Sequence, residues 1–369
     1  MSNPSPPSFI RVPIPLAFST TSRAMQALGW SAEAASFQTE VMLWAEKRGS
    51  NQGLTKLADA EGMAPAKGAT TPLLTRDTPL SAVVDGRQAP GMLALRLAVD
   101  TAASKARAGG GLAIVGVNST STSSGMLAFF GERLAATGLV GILFATSPEF
   151  VSMVPGGAGV FGTNPVCFAF PTTTTTTSAS TGGEESTSTF VVDFATAAVA
   201  FYGVLKAKGL GQQLPEGSAF DSAGKATTSP DAALAGSLAA FGGHKGAALA
   251  LCVELLGSAL PGAGVVNDKD NAKASNWGHT VIAIDPSLLV DDFPSRVRHI
   301  LDTVKASGPG GGGSGGGSSG VRLPGERSAQ LAADTEMDGH LRLPRNLWAR
   351  IQSLADTEGG GGRAGRAAL

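Results

Sequence analysis

Residues 141–170 read GILFATSPEFVSMVPGGAGVFGTNPVCFAF, and this stretch decides the class of fold. Two short apolar runs, 141–145 and 166–170, stand on either side of a loop rich in glycine and hydroxyl side chains, which is typical of two buried strands. The loop contains a literal G-x-G-x-x-G at Gly157, Gly159 and Gly162. This match follows a loop and leads into a further turn instead of a helix, so we predict that it is not a Rossmann phosphate-binding turn.

Helical and strand patterns alternate on both sides of this stretch. Ser31 precedes the first clear helical pattern and Glu33 lies in its first turn, which is the usual start of a capped helix. Helical spacing of apolar residues occurs at about 31–48, 91–107, 125–136, 195–208, 243–256 and 294–305. Further strand patterns occur at 112–117, 190–193 and 281–285, and an extended edge segment with two prolines at 9–18. Helices interleaved with short apolar strands predict an α/β protein.

Composition limits the classes of function. The chain has 369 residues and is 43% hydrophobic, which is enough for a sizeable core divided into two or three lobes. Lys and Arg total 28 against 29 Asp and Glu, so a net charge of -1 supplies no general attraction to nucleic acid or anionic lipid. No run approaches the ~18 consecutive apolar residues of a membrane span. We expect a soluble protein with a small-molecule partner, and neither nucleic acid nor a membrane.

The cysteines and the first residues bear on the cellular compartment. Cys167 and Cys252 both stand inside apolar runs, which predicts two reduced, buried thiols and a cytoplasmic protein. The first thirty residues contain Arg11 and Arg23, several hydroxyl residues and no acid before Glu33, which is also typical of an organellar transit segment. An organelle matrix therefore stays open as an alternative.

Three segments are of low complexity, at 172–189, 308–320 and 358–366. Their Thr, Ser and Gly tracts offer little apolar surface to bury, so we predict an insert, a linker and a tail that do not order themselves. The four histidines, at 244, 279, 299 and 340, lack the spacing of zinc ligands, and we predict no metal site.

Loops rich in glycine and hydroxyls follow several of the apolar strands. They lie at 118–125, 146–148, 155–165 and 242–246, the last one opening an apolar helix. Backbone N–H groups in such loops and at helix starts bind phosphate and ribose oxygens. Lys245 in the last loop is suited to a phosphate. Asp193, at the end of a strand, suits either ribose hydroxyls or the capping of a helix.

Five motifs occur in the order, and near the spacing, of one protein family: FGTNP at 161–165, VDFAT at 192–196, GSAFDSAGKATTSP at 217–230, GGHKG at 242–246 and LPGE at 323–326. On these residues the chain resembles the malate/L-lactate dehydrogenase family, which is unrelated to the Rossmann-type lactate dehydrogenases and also includes ureidoglycolate, sulfolactate and cyclic-ketimine oxidoreductases. The resemblance extends from about residue 34 to about residue 341, apart from the low-complexity segments.

The resemblance implies a homodimer, NAD or NADP as cofactor, and a fold of three parts. These are an N-terminal helical segment at 1–75, a mixed-sheet, non-Rossmann NAD(P)-binding domain at 76–300, and a C-terminal helical segment at 301–369. The residues that it assigns to the dinucleotide are Ser123, Ser124, Gly125, Ser147, Asp193, Phe194, Ala195, Lys245, Gly325, Glu326 and Arg327.

The chain departs from the family at the positions that carry its acid–base chemistry. Where the family has Ser-His-Gly followed by an arginine, this chain has NQGLTK at 51–56, so Gln52 replaces the histidine and Lys56 the arginine. A second family histidine, the proton acceptor of the hydroxy-acid members, falls at Ser123. Because neither Gln nor an unassisted Ser titrates near neutral pH, no residue is assigned to the proton, and His244 is the reserve candidate.

We predict reversible hydride transfer between nicotinamide and C2 of a small 2-oxo or 2-hydroxy acid. Lys56 and Thr163 would hold the substrate carboxylate, and Asn51, Gln52 and Ser123 would polarise the reacting oxygen.

Two alternatives to this prediction remain open. The first is a cyclic-ketimine reductase, although position Gly203 lacks the aspartate that the resemblance implies for the imine-reducing members. The second is a dinucleotide-binding protein without catalysis, which the loss of both histidines suggests.

Overall fold

The computed structural model describes residues 8–175, 186–265, 276–308 and 321–357. Its helices are α1 (Ile14–Ala27), α2 (Ala32–Lys47), α3 (Gly91–Lys105), α4 (Leu127–Ala135), α5 (Phe201–Gly209), α6 (Pro230–Leu234), α7 (His244–Glu254), α8 (Phe293–Ala306), α9 (Glu326–Asp338) and α10 (Arg345–Asp356). Its strands are β1 (Phe9–Pro13), β2 (Leu73–Asp77), β3 (Ser81–Asp85), β4 (Leu112–Thr120), β5 (Val140–Ala145), β6 (Val151–Ser152), β7 (Gly159–Phe161), β8 (Val166–Thr175), β9 (Ser186–Phe194), β10 (Ala219–Phe220), β11 (Ser237–Leu238), β12 (Trp277–Ile284) and β13 (His340–Pro344).

Seven strands form one central sheet in the order β2-β3-β4-β12-β5-β8-β9. Only β3 and β4 run parallel, and the other neighbouring pairs run antiparallel. The middle strand, β12, comes from far along the chain and pairs Val281 with Val115 on one side and Leu143 on the other. The predictions of an α/β fold and of a mixed, non-Rossmann sheet are therefore confirmed, because a Rossmann sheet is mostly parallel.

The two faces of the sheet are covered by different helices. Alternate residues of β4, such as Val115 and Val117, are buried beneath α3 in the largest hydrophobic cluster, and α4 packs on β5, β8 and β9. Ile114 points the other way and is partly exposed. On that second face, Val253 of α7 packs with Phe144 and Val166 in a smaller cluster.

A second sheet of four short strands, in the order β10-β11-β6-β7, packs with α5, α6 and α7. Gly159 and Phe161, inside the literal G-x-G-x-x-G, belong to β7, which pairs with β6. No helix begins there, so the prediction that this match is not a Rossmann turn is confirmed.

The two ends of the described chain pack against each other. β1 pairs antiparallel with β13, and α1 packs on α10. The extended segment predicted at 9–18 is correct only as far as Pro13, because α1 begins at Ile14 with Pro15 in its first turn. A proline there already has the φ of a helix and gives up an N–H that has no partner within the helix.

The helix predicted at 195–208 begins later, at Phe201. Residues 195–200 form an irregular, bent segment instead: Ala197 forms a bridge with Ala240, and the N–H of Ala198 donates to the carbonyl of Ala239 at 2.8 Å. Long-range backbone bonds therefore replace the local ones that the helical pattern predicted.

The low-complexity segment at 172–189 is partly ordered, contrary to the prediction. β8 and β9 continue their pairing beyond Pro171 as far as Thr175 opposite Ser186. Threonine is β-branched and favours strands, and backbone pairing needs no apolar surface, so these tracts extend the hairpin. Residues 176–185, 309–320 and 358–369 lie outside the described residues.

The two cysteines are both free but differ in burial. Cys167 is buried under α4, where a Cβ on Gly131 would stand 2.7 Å from its sulfur. Cys252 is exposed, so its predicted burial is wrong. The apolar run that contains Cys252 lies in α7, and one side of that helix faces solvent, where Leu251 is also exposed.

Within the described ranges, no helix combines the length and the apolar character needed to cross a bilayer. The division of the chain at residues 75/76 and 300/301 stays a prediction.

Candidate active site

Lys56 is the centre of a buried polar cluster. It lies in a short 3-10 turn, Leu54–Ala58, and only 1% of it is exposed. Two side chains hold this turn from behind: Glu46 accepts the N–H of Leu54 at 2.8 Å, and Arg350 donates to the carbonyl of Leu57 at 3.1 Å. These contacts with other elements keep the turn packed in the interior, so Lys56 is not the exposed lysine of an ordinary loop.

Two partners from distant elements meet the Lys56 ammonium. Its Nζ donates to Ser123 Oγ at 2.6 Å and lies 4.0 Å from the centre of the Tyr202 ring. Ser123 also acts on Tyr202, whose pKa it lowers, so the three side chains form one cluster. Ser123 comes from the loop between β4 and α4, and Tyr202 from the first turn of α5.

Burial shifts the proton equilibria of this cluster. Loss of hydration lowers the pKa of Lys56 from 10.5 to about 7. Desolvation also raises the pKa of the Tyr202 phenol, and the nearby Asp59 adds to that rise. Lys56 is thus a group that can gain or lose a proton near neutral pH, whereas Tyr202 keeps its proton.

Asn51 and Gln52 lie on the same segment as Lys56. Gln52 Oε1 is buried and has no hydrogen-bond partner among the described residues, which is a costly state for a buried acceptor. Asn51 Nδ2 lies 3.2 Å from the place where a Cβ would stand on Gly203. The structure therefore brings Asn51, Lys56 and Ser123 into one region, next to Gly203 of α5.

A buried histidine supports the neighbouring loop. A Cβ on Gly91 would stand 2.9 Å from Ser124 N and 3.0 Å from His279 Nε2, so the start of α3 is packed tightly between them. Desolvation lowers the pKa of His279 to about 3, and its Nδ1 has no partner among the described residues. His279 is therefore a neutral side chain beside the Ser123–Ser124 segment.

Asp193 connects this region to a groove. Its Oδ2 accepts the N–H of Ala128 at 2.8 Å, and the N–H of Leu127 also bonds to it, so the carboxylate caps α4. Desolvation raises the pKa of Asp193 to about 6 in spite of these bonds. The capping role that the sequence left open is thus present, and the same side chain lines a cavity of about 460 Å³.

That cavity brings together several of the residues expected at the dinucleotide. Asp193 and Phe194 line it from β9, and Gly325 and Glu326 line it from the start of α9. Gly325 has φ of +84°, a conformation that favours glycine, and a Cβ there would stand 3.0 Å from the carbonyl of Val191. Arg327 is exposed beside it.

The GGHKG loop lies against the same strand end. Phe241, just before it, packs edge-to-face on Phe194 with ring centres 5.7 Å apart. Gly242 and Gly243 both have positive φ, and nothing stands within 4 Å of a Cβ placed on either. His244 and Lys245 follow at the start of α7, and both are exposed.

The FGTNP motif is fixed by its asparagine. Asn164, with φ of +37°, donates to the carbonyl of Ala250 at 3.2 Å and to Glu254 Oε2 at 2.7 Å, which fastens the motif to α7. Thr163 accepts the N–H of Thr196 through its carbonyl at 2.9 Å. Ser147 packs on the same motif, because a Cβ on Gly162 would stand 2.3 Å from Ser147 Oγ.

These features fit a nicotinamide dinucleotide. Two open glycines at a helix start, followed by Lys245, offer N–H groups and a cation to a phosphate. A half-buried carboxylate at Asp193 is suited to hydroxyl groups. The loop that precedes α4 joins this groove to Lys56.

The profile of the malate/L-lactate dehydrogenase family matches residues 14–352. The chain belongs to this family. The expectation from the five motifs is confirmed, and the match spans every predicted site residue. The malate/L-lactate dehydrogenase family uses nicotinamide cofactors, and this chain is an NAD(P)-dependent oxidoreductase.

Individual relatives include enzymes of two chemical kinds. L-sulfolactate dehydrogenase of Methanothermobacter thermautotrophicus is 30% identical over 288 residues, 76% of each chain. Delta(1)-pyrroline-2-carboxylate reductase 2 of Burkholderia multivorans is 35% identical over 234 residues, 61% of this chain and 62% of that one. A solved dehydrogenase from Sinorhizobium meliloti superposes with a TM-score of 0.79 at 29% identity, covering 94% of this chain and 98% of that one.

Sequence reasoning missed two residues of the site. Tyr202 stands inside a segment that was read as the middle of a helix, and it is the one tyrosine of the chain, which was the available signal. His279 was considered only as a metal ligand. It lies two residues before the strand predicted at 281–285, and only the structure extends β12 back to Trp277 and buries His279.

Proposed function

We propose that this protein transfers a hydride between nicotinamide and C2 of a small 2-oxo or 2-hydroxy acid. The observation that carries the proposal is the buried Lys56 ammonium in contact with Ser123, at the end of the loop that leads into the groove at Asp193. A cation in a desolvated site attracts a carboxylate strongly, and the adjacent hydroxyl suits the reacting oxygen.

The residues have separate roles in this proposal. Lys56 and Thr163 hold the substrate carboxylate, while Asn51, Gln52 and Ser123 hydrogen-bond the reacting oxygen. The unpartnered Gln52 Oε1 is a polar atom that a substrate hydroxyl would satisfy. The bound nicotinamide supplies the hydride for reduction and accepts it in the reverse direction.

The dinucleotide is held by groups along the groove. We assign this role to Ser123, Ser124, Gly125, Ser147, Asp193, Phe194, Ala195, Lys245, Gly325, Glu326 and Arg327. Lys245 and the N–H groups after Gly243 would meet a phosphate, and Asp193 would meet ribose hydroxyls. His244 stays a reserve candidate for the proton, although its exposed position at the start of α7 suits the cofactor better.

A homodimer in the cytoplasm completes the proposal. Leu251 on α7, Leu255 in the π-helical turn that continues it, and Leu260 at the end of that turn are exposed apolar residues that a second copy would cover. The two free cysteines suit a reducing compartment.

The first experiment is a panel of small 2-oxo acids and cyclic imines with NADH and NADPH in turn, followed by loss of reduced-nicotinamide absorbance. Turnover of 2-oxo acids with either cofactor supports the proposal. Cofactor binding without turnover on any substrate would contradict it and leave a dinucleotide-binding protein without catalysis.

Cyclic-imine reduction is the second candidate, because a relative at 35% identity is named as a pyrroline-2-carboxylate reductase. Two local features disfavour it. Gly203, next to Asn51, offers no carboxylate, and the Lys56 cation would repel a protonated imine. Turnover confined to the imines of the panel would favour this candidate instead.

A further inference from the structure

We propose that Ser123 gives the proton to the reacting oxygen and that Lys56, acting through Ser123, resupplies it. The inference rests on the proposed function and answers the question that the sequence left open, because both family histidines are absent. Ser123 is then the catalytic residue, and Lys56 is the proton reservoir behind it.

The hydrogen bonds around Ser123 leave its own proton free. A serine hydroxyl has one donor and two acceptor positions. The Lys56 ammonium has no acceptor, so in their 2.6 Å contact Ser123 Oγ must accept. The Ser123 O–H is then available to a substrate oxygen.

In the reduction, one proton moves from Lys56 to Ser123 and one from Ser123 to the substrate oxygen. As C2 receives the hydride, the electron pair of the C=O π bond moves onto the oxygen. The Ser123 O–H bond breaks and its proton forms the new hydroxyl, while a Lys56 N–H bond breaks and its proton restores the Ser123 hydroxyl. Lys56 is left as a neutral amine, and after the product leaves, it regains a proton from solvent through the half-buried Ser123 hydroxyl. Oxidation runs the same steps in reverse.

The surroundings of Lys56 support this role. Its ammonium is buried against Ser123 and the Tyr202 ring, and burial lowers its pKa to about 7, close to the pH at which a proton donor is most effective. The charge of Asp59, at the end of the same turn, raises the pKa of Tyr202. Glu46, which holds the turn, is paired electrostatically with Lys206. On the side of Ser124 stands the neutral His279.

The decisive variant is Lys56→Arg. A guanidinium still binds a carboxylate but does not release its proton near neutral pH. The relay predicts a fall in kcat of about a hundredfold with little change in KM, which is within the usual contribution of acid–base catalysis. It also predicts that the pH dependence near 7 is lost: in the wild type, kcat for reduction falls and kcat for oxidation rises as pH increases through 7.

A second variant tests whether the lost activity comes from the missing proton donor or from disturbed packing around the larger arginine. Lys56→Arg combined with Ser123→His places a titrating group directly at the reacting oxygen, so we expect it to recover about tenfold of the lost kcat. Fluorescence of bound NADH shows whether each variant still binds cofactor, and both variants could fail this check. In that event Lys56→Met with added small primary amines replaces them, and absence of amine rescue would overturn the relay.

The last readout does not depend on activity. In the cofactor-free wild type, the Lys56 Nζ resonance, assigned with Lys56→Arg, should titrate near pH 7 and shift in Ser123→Ala. Titration of Lys56 above pH 9 would overturn the relay. A Lys56→Arg enzyme with the kcat and pH profile of the wild type would also overturn it, but the proposed function would then stand. Wild-type silence on all 2-oxo acids would overturn both.

Discussion

Lys56 is almost completely buried, although lysine is among the residues most often found exposed. By its place in a polar loop it could be an exposed lysine, yet the turn at Leu54–Ala58 buries it completely. A lysine resists burial because its ammonium loses hydration, and the Ser123 hydroxyl and Tyr202 ring replace only part of that hydration. Such an arrangement costs stability, which is expected at a site that serves chemistry rather than folding.

The stability cost of Lys56 should depend on pH. Its folded pKa, about 7, lies below its unfolded value, so between pH 7 and about 10.5 the unfolded chain binds more protons than the folded one. Stability of the wild type relative to Lys56→Met should therefore rise with pH through this window and level off above it. Urea unfolding at pH 6.5, 8 and 9.5 measures this difference. Lys67→Met, at an exposed lysine, is the matched control, and a difference that stays constant with pH would contradict the prediction.

At the scale of elements, the start of α4 joins the cofactor groove to the acid–base cluster. The side chain of its N-cap residue, Met126, makes no capping bond, and the N–H groups of Leu127 and Ala128 bond instead to Asp193 of β9. The bonds to Asp193 fix the start of α4 against β9. The loop Ser123–Gly125 runs from β4 to this helix start, so its position relative to the groove is fixed at both ends.

Replacing Asp193 tests this connection. Asp193→Ala leaves the N–H groups of Leu127 and Ala128 without their acceptor, and we expect a loss of about 1–2 kcal/mol in the free energy of unfolding together with weaker NADH binding. Asp193→Asn keeps an acceptor and is the matched control, with most of the stability retained at pH 7. Equal losses in the two variants would argue against the capping role.

Capping of α2 gives a second test at this scale, away from the site. Ser31 Oγ accepts the N–H of Ala34 at 3.2 Å. Ser31→Ala should lower the free energy of unfolding by about 1 kcal/mol, whereas Ser31→Asp should retain it, with activity unchanged in both. Thermal and chemical denaturation measure this, and an unaffected Ser31→Ala protein would show that the cap contributes nothing.

At the scale of the whole molecule, one surface stands out. Leu255 and Leu260 are 54% and 59% exposed on one side of α7 and its continuation, while the opposite side of α7 packs into the core through Ala250 and Val253. The same helix binds Asn164 of the FGTNP motif. Dimer formation through its apolar face would therefore stabilise the helix that holds this part of the site.

If this surface is the dimer interface, Leu255→Glu should shift the protein from dimer to monomer. A buried, unpaired carboxylate at an interface costs several kcal/mol, which is enough to dissociate a dimer at micromolar concentration. Sedimentation velocity at several concentrations measures the shift. Leu289→Glu, at a leucine that is 87% exposed elsewhere, is the control, and a Leu255→Glu protein that stays dimeric would place the interface on another surface.

Local patterns were sufficient for the identity of most elements and for the family. Apolar runs at 112–117 and 166–170 predicted strands, Ser31 predicted a helix start, and five short motifs in order pointed to a fold that is mixed and not Rossmann-like. These signals come from residues that are close together in the chain. Hydrophobic periodicity and turn-forming residues act on the local backbone, so the folded structure keeps what they predict. Only tertiary structure decided that β12 enters between β4 and β5, that threonine tracts extend a hairpin, and that Lys56 meets Ser123 and Tyr202. The pairs between β12 and β4 join residues 157 to 172 positions apart, and Lys56 lies 67 positions from Ser123. Burial and pKa follow from such long-range contacts and from no local pattern.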